Sequence, residues 1–418
     1  MLGKEMGKVT AMAEGKKPEV LAPAGDAERL SAAVRYGADA VYLGGKDFGM
    51  RASPLNFTEE ELARAVDECH QRGVKVYVTC NILPREEDLD GLPGYLHFLQ
   101  DAGVDAVIVA DMGVLMLCRR EIPQMDLHMS TQTGIVNHLA ATELYRMGVK
   151  RVVLARELSL EEIRRIRANT PPELELEAFV HGAMCMSFSG RCVLSNYLAG
   201  RDANRGECAQ PCRWRYALME EKRPGEFFPV FEEEDGSYLL NAKDLCMIEY
   251  LDQLQDAGID SFKIEGRAKS FYYVATITNA YRCAVDLLMQ SPGRYQLPDW
   301  LLEEPRKVSH RPYSTGFYFG QPKDGQSWES GGYIRDYDVA AVVEGWADGM
   351  LVCTQRNRFF PGDTLEVLFP GRPPECLTVA QIQDDQGNLL DAARHPMQIL
   401  RIPAKQPIPA GTILRRAL

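Results

Sequence analysis

The sequence has no run approaching the roughly 20 consecutive apolar residues of a membrane-spanning helix. Its opening residues, Met1 to Glu19, contain no apolar stretch of signal-peptide length, and 1–17 read as a flexible N-terminus. Together these absences predict a cytoplasmic protein. Excess positive charge is missing too. The 59 acidic residues outnumber the 47 basic ones, giving a net charge of -12 and a pI near 5.2. Bulk charge therefore argues against non-specific nucleic-acid binding, although a local basic patch can sit on an acidic protein. There is no G-x-S-x-G, no H-E-x-x-H and no P-loop, and no G-x-G-x-x-G follows the first predicted strand. The chemistry must be sought elsewhere.

What is present is a recurring unit of amphipathic helix, glycine and short β-rich run. Such runs begin at Glu19, Ala40, Lys75, Ala106, Asp126, Arg151, Leu174 and Ser261. Asp26 and Thr58 read as helix N-caps, Gly37 and Gly73 as helix ends, and Ser159 with Glu162 as a capping box. Most of the runs are apolar enough to be buried on both faces, which predicts a parallel sheet. Eight units predict a closed (β/α)8 TIM-type barrel over 18–292, with an open doubly wound sheet as the alternative. A cysteine-rich insertion, 182–246, interrupts it. Its end, DLCMIEYLDQLQDAG, reads as the helix before the eighth strand. Residues 293–336, irregular and Pro-containing, read as a linker. Short alternating runs over 337–418 predict a small C-terminal β-barrel domain.

A barrel of this type carries its chemistry at the C-terminal ends of its strands. Here those ends include Gly44-Gly45, Thr79 to Asn81, Ser130 to Gln132, His181-Gly182 and Glu265 to Arg267. The insertion leaves the seventh strand at this face and reads as a long loop folded over it. It holds Cys185, Cys192, Cys208 and Cys212, spaced Cys-x6-Cys-x15-Cys-x3-Cys, and Cys246 follows. Eleven cysteines, an odd number, fit poorly with disulfides in a reducing compartment. Thiolates spread along a loop can converge on a soft metal or an iron–sulfur cluster. Zinc favours closer pairs, which only Cys208 and Cys212 match. Free structural thiols and a nucleophilic cysteine are the alternatives. Cys69, Cys80, Cys118, Cys283, Cys353 and Cys376 stand alone and are expected in cores.

Other residues have two readings each. Arg267 suits bidentate binding of a carboxylate or phosphate, or a buried ion pair with Glu265. Glu265 and His181 are candidates for proton transfer, or for structural pairing. His128 reads more readily as a structural histidine, and Lys263 as either an inward functional group or a rim residue. Arg51 and Asn56 either contact substrate or order the loop after the second strand. Arg201, Arg205, Arg213, Arg215 and Lys243 are interleaved with Tyr197, Trp214 and Tyr216. That interleaving suits a polyanion such as RNA, or a solvated charged face.

Several of these stretches carry a resemblance. LAPAGDAERLSAAVRYGADAVYLGG, RASPLNFT, EAFVHGAMCMSFSGRCVLS, NRGECAQPCRW, NAKDLC and FKIEGR resemble the collagenase-like peptidase U-32 family over nearly the whole chain. The stretch Glu177 to Ser195 matches the family's signature of Glu, Phe, Gly and Cys at fixed steps. QRNRFFPGD and ARHPMQ resemble the family's C-terminal β-barrel domain, which is similar to an elongation-factor domain. The combination is most similar to the family's tRNA hydroxylation branch. The resemblance implies a [4Fe-4S] cluster on Cys185, Cys192, Cys208 and a fourth ligand, either Cys246, the favoured one, or Cys212. It implies conversion of wobble uridine in tRNA to 5-hydroxyuridine, with prephenate as co-substrate. Arg267 and nearby basic residues would then hold prephenate carboxylates or RNA phosphate. Members named peptidases make proteolysis the first alternative. A zinc-stabilised, non-catalytic RNA-binding protein is the second.

Overall fold

The computed structural model describes residues 16–46, 48–49, 56–184, 194–201, 207–211, 214, 217–219, 227–229, 242–291, 293–322 and 333–418. Seven strands open the fold: β1 (Glu19–Pro23), β2 (Ala40–Leu43), β3 (Lys75–Cys80), β4 (Ala106–Val109), β5 (Asp126–Met129), β6 (Arg151–Val153) and β7 (Glu175–Gly182). A hairpin, β8 (Ala217–Met219) and β9 (Phe227–Pro229), lies in the insertion. Then come β10 (Asp244–Cys246) and β11 (Ser261–Ile264). Each of β1 to β7 pairs in parallel with the next, and β11 pairs in parallel with both β1 and β7. The expected eight-stranded parallel barrel is therefore closed by Glu19↔Ser261 on one side and Ser261↔Glu177 on the other.

Local chemistry sets the intervening helices. The Asp26 carboxylate accepts from Arg29 N, and Thr58 with Glu61 and Ser159 with Glu162 form complete capping boxes. The barrel interior is not purely apolar. Arg151 is buried between Glu19, Glu175 and Glu177, and Lys263 Nζ lies 2.7 Å from Glu177 Oε1. Lys263 thus faces inward and serves the ionic core. His128 is buried too, edge-on to Tyr77 at 4.7 Å. No helix among the described residues is long and apolar enough to cross a membrane.

Two stretches differ from the expected irregular chain. The insertion holds a helix, Leu194–Ala199, as well as the β8–β9 hairpin. Its end is a strand where a helix was expected. β10 lies antiparallel to the end of β7, pairing Leu245 with Gly182 and Cys246 with His181, and the helix begins only at Leu251. The reason is an open edge: β6 is three residues long and pairs with β7 only as far as Glu177, leaving the tip of β7 free on that side. The second stretch is the expected linker. It contains a helix, Asp299–Glu303, a 3-10 turn, Glu304–Lys307, and a strand, β12 (Tyr313–Ser314), parallel to β10. Glu304, Leu301, Val308, His310 and Arg311 within it are buried. We call residues 304–314 the strap.

The C-terminal domain is an eight-stranded antiparallel sheet between Tyr337 and Ala417, curled around Ala341, Leu351, Phe359, Leu365, Leu400 and Leu414. It docks on the barrel through specific contacts. Tyr36 donates to Leu368 O at 2.9 Å, Asn279 Nδ2 donates to Phe369 O at 3.2 Å, and Gly371 N donates to Asn279 Oδ1 at 2.8 Å. Val339, Leu368 and Ile413 join the barrel's apolar core. Of the cysteines expected in cores, Cys69, Cys80, Cys118, Cys283 and Cys353 are buried, but Cys376 is exposed. It sits on the edge strand Glu375–Thr378, which has no apolar layer over it.

Candidate active site

The polar ends of the strands meet at one mouth of the barrel, and two groups of side chains frame it. The first is cationic. Arg267 follows β11 and reaches across the mouth, where Nη1 donates to Thr79 Oγ1 at 3.0 Å at the end of β3. Two glycines make room for it. A Cβ on Gly44 would lie 2.5 Å from Arg267 Nη1, and a Cβ on Gly25 would lie 2.1 Å from the Arg267 carbonyl oxygen. After β6, Arg156 stacks over the Phe179 ring at 3.8 Å, and Nη2 lies 3.4 Å from Glu265 Oε2. Glu265 is thus paired with Arg156. Gly182, at φ +105°, lets β7 pass close to the Glu265 backbone, a conformation and a space that only glycine fits easily.

The second group is built on His181 and Cys246. His181 is buried, and burial, with His310 and Lys269 nearby, pushes its pKa down to about 3. The ring is neutral at physiological pH. Its Nδ1 lies 3.3 Å from the Tyr281 hydroxyl and its Nε2 lies 3.4 Å from the Tyr313 hydroxyl. Tyr281 donates its own proton to Val180 O at 2.7 Å, and Tyr313 donates to Pro305 O at 2.7 Å. A neutral imidazole has one N–H to offer two oxygens whose protons are already committed. One contact is therefore a match and the other pits lone pair against lone pair, so the ring can take either neutral tautomer with little rearrangement.

Cys246 stands next to His181 across the β7–β10 pair, and its Sγ is 4.0 Å from the Tyr281 hydroxyl. Burial raises its pKa to about 11, so the isolated thiol stays protonated. A half-buried thiol at the barrel mouth, with a phenol beside it, fits the environment of a soft-metal ligand whose charge the metal would offset. Cys208 is exposed, and its Sγ accepts from Gln210 N at 3.4 Å. Ser195 holds this segment by accepting from Ala209 N at 2.9 Å. Among the described residues no three His, Cys, Asp or Glu side chains converge as a ligand set. Cys185, Cys192 and Cys212 lie outside the described residues, as do Arg51, Arg205, Arg213 and Arg215.

Of the remaining candidates, Asn56 is buried and its Nδ2 donates to Gly45 O at 3.1 Å, which orders the loop after β2. Lys243 is half-buried at the start of β10, and Arg201 and Trp214 are exposed. His128 sits deep in the barrel, with Nδ1 lacking a hydrogen-bond partner. Sequence reasoning placed Arg156 among the strand ends but gave it no role, and it did not select Tyr281, Tyr313 or His310. The signal for the tyrosines was available, since a tyrosine inside an apolar helix or a Pro-rich stretch needs a partner for its hydroxyl once buried. His310 stacks flat on Tyr313 at 4.4 Å and extends the aromatic wall around His181.

Comparison with known proteins places this architecture. Residues 25–328 match the model of peptidase family U32, and 335–415 match that of the peptidase family U32 C-terminal domain. The tRNA hydroxylation protein P1 of Bacillus subtilis is 41% identical over 404 residues, covering 96% of this chain and 95% of that one. The tRNA hydroxylation protein P of Escherichia coli is 37% identical over 396 residues, covering 85% of this chain and 86% of that one. The 23S rRNA 5-hydroxycytidine C2501 synthase of Escherichia coli is 40% identical over 275 residues, covering 66% of this chain and 40% of that one. With both of its domains matched and its length shared with relatives so named, this chain belongs to peptidase family U32, in its tRNA hydroxylation branch.

Proposed function

We propose that the chain is an RNA hydroxylase that converts wobble uridine in tRNA to 5-hydroxyuridine. The observation that carries this reading is full-length similarity to tRNA hydroxylation proteins, joined to a barrel whose C-terminal strand ends carry a cysteine thiol, a neutral imidazole and two arginines. The rRNA relative's name specifies cytidine, and what the two names share is hydroxylation of RNA.

In this reading Cys246 is the fourth ligand of a [4Fe-4S] cluster, with Cys185, Cys192 and Cys208. When bound, the cluster would supply one-electron redox chemistry at the barrel mouth. Arg267 and Arg156 hold a carboxylate-bearing co-substrate such as prephenate, since two guanidinium forks suit two carboxylates. Replacing C–H by C–OH at a pyrimidine carbon is a two-electron oxidation: an oxygen donor X–OH delivers the hydroxyl and leaves as X⁻ with the electron pair, and the ring carbon's proton is released. His181, kept neutral by burial, and Glu265, beside Arg156, are the groups placed to take it. Lys243 with Arg205 and Arg213 of the insertion, and the C-terminal domain, position the RNA.

Nucleoside analysis of tRNA from a strain lacking the gene tests the reading. Loss of 5-hydroxyuridine derivatives, restored by the wild-type gene and not by a Cys246→Ala variant, is the expected result. Unchanged derivatives, in a strain with no parallel route, would overturn it. Iron and sulfide in anaerobically purified protein support the cofactor. Zinc without iron would favour a zinc-stabilised RNA-binding protein instead, and proteolysis that survives cluster removal would favour a peptidase.

A further inference from the structure

We propose that the strap, 304–314, is a positioning element that ties docking of the C-terminal domain to the geometry around His181 and Cys246, with Glu304 and Arg415 as positioning residues. The proposal rests on the hydroxylase reading for its activity readout alone. Four charges sit between strap and domain. Glu304 and Lys307 come from the strap, and Glu366 and Arg415 from the domain. Arg415 Nη1 donates to Glu304 Oε2 at 2.9 Å and Arg415 Nε to Glu366 Oε2 at 3.0 Å. Lys307 Nζ donates to Glu366 Oε2 at 2.9 Å and lies 3.3 Å from Glu304 Oε1. Glu304 and Arg415 are fully buried, and the set is neutral as a whole. Buried charges of this kind have no water to fall back on, so the network is either complete or broken.

Two routes run from this network to the site. The first is through side chains. The carbonyl of Pro305, next to Glu304, accepts the Tyr313 hydroxyl at 2.7 Å, and that hydroxyl stands 3.4 Å from His181 Nε2. The second is through the backbone. Tyr313 and Ser314 pair with Asp244 and Leu245 of β10, and the next residue is Cys246. Arg311 locks the same join, with its N–H donating to Asp244 Oδ2 at 3.1 Å and Nη1 to Ala242 O at 2.9 Å. A shift of the C-terminal domain that breaks the charge network therefore moves the wall of the site and the strand carrying its thiol. An RNA that engages this domain would act on the site through the same join.

The test compares wild type with Arg415→Met in the full chain. The substitution leaves Glu304 its Lys307 partner. Amide hydrogen exchange over 304–318 and 242–248 is expected to rise by about tenfold, while the helix Glu59–His70 keeps its rate. Modified tRNA in cells is expected to fall, with affinity for tRNA kept within about twofold. Tyr313→Phe removes the hydroxyl and spares the network. It should lower modification with exchange over 304–307 unchanged. Exchange that rises only inside 337–418, or tRNA affinity that falls with 242–248 unaltered, overturns the proposal. If Arg415→Met fails to fold, Glu366→Gln, at the half-exposed side of the network, is read in the same way. If wild type itself hydroxylates no tRNA, the functional reading fails and hydrogen exchange alone decides the coupling.

Discussion

At the scale of single residues, the two glycines under Arg267 predict opposite kinds of damage. A Cβ at Gly44 meets the far end of a flexible side chain, whereas one at Gly25 meets backbone. Gly44→Ala should therefore keep stability within about 1 kcal/mol but push the guanidinium off Thr79. If prephenate is the co-substrate, as proposed above, its binding by calorimetry should weaken while the urea midpoint holds. Gly25→Ala should cost about 1–3 kcal/mol of stability, read from the same urea titration. Inside the barrel, burial works to raise the pKa of Glu19, but Arg151 and the hydrogen bonds from Tyr77 and Ser261 outweigh it and hold it below the ordinary carboxylate value. Glu175 is held low in the same way. A depressed folded-state pKa adds stability that is present above the unfolded value, about 4, and is lost as pH falls through the folded one. Unfolding free energy should thus fall steeply below about pH 4, and Glu19→Gln, though less stable at neutral pH, should show a shallower fall there. The sequence shows Lys263 and Arg151 only as charges in strands. Their partners lie on strands distant in the chain, so nothing local marks them as an internal ionic layer.

At the scale of elements, the capped helices of the barrel were legible, and the short strands β10 and β12 were not. Thr58, Ser159 and Asp26 are capping residues by type and position, and each caps as read. Thr58→Ala should cost about 1 kcal/mol, measured by urea titration. β10 and β12 span three and two residues. Too short to show periodicity, they exist because the tip of β7 offers an unpaired edge, which is a property of the closed barrel and not of their own composition. The strap looked like a linker for a related reason: Pro298 and Pro305 read as breaks, yet Pro298 caps a helix and Pro305 lies in the first turn of a 3-10 segment. The aromatic wall around His181 was hidden with it, because Tyr313 and His310 arrive from that stretch.

At the scale of the molecule, the count of eight strand–helix units pointed to the barrel, and the change of pattern near Tyr337 pointed to a second all-β unit. Their union was not legible. It rests on Tyr36, Asn279, Glu304 and Arg415, four polar residues that look like surface groups until both units are folded. Truncation before Tyr337 would leave Glu304 without Arg415 and uncover the apolar surface that Val339, Leu368 and Ile413 bury. The barrel alone should therefore be markedly less stable to urea than the full chain, and it should bind a dye specific for exposed apolar surface.

The pairing of Gly182 with Leu245 has a wider consequence. The chain leaves the barrel at Gly182 and returns at Leu245 on the same rung, so the two ends of the insertion are held together by the barrel itself. The insertion's length and content can drift without altering the register of any barrel strand. A short turn joining 184 to 242 should leave the barrel folded with circular dichroism close to wild type, and an insertion from an rRNA-directed relative should graft onto the same rung. In the proposed reading, such an exchange tests whether the insertion selects the RNA.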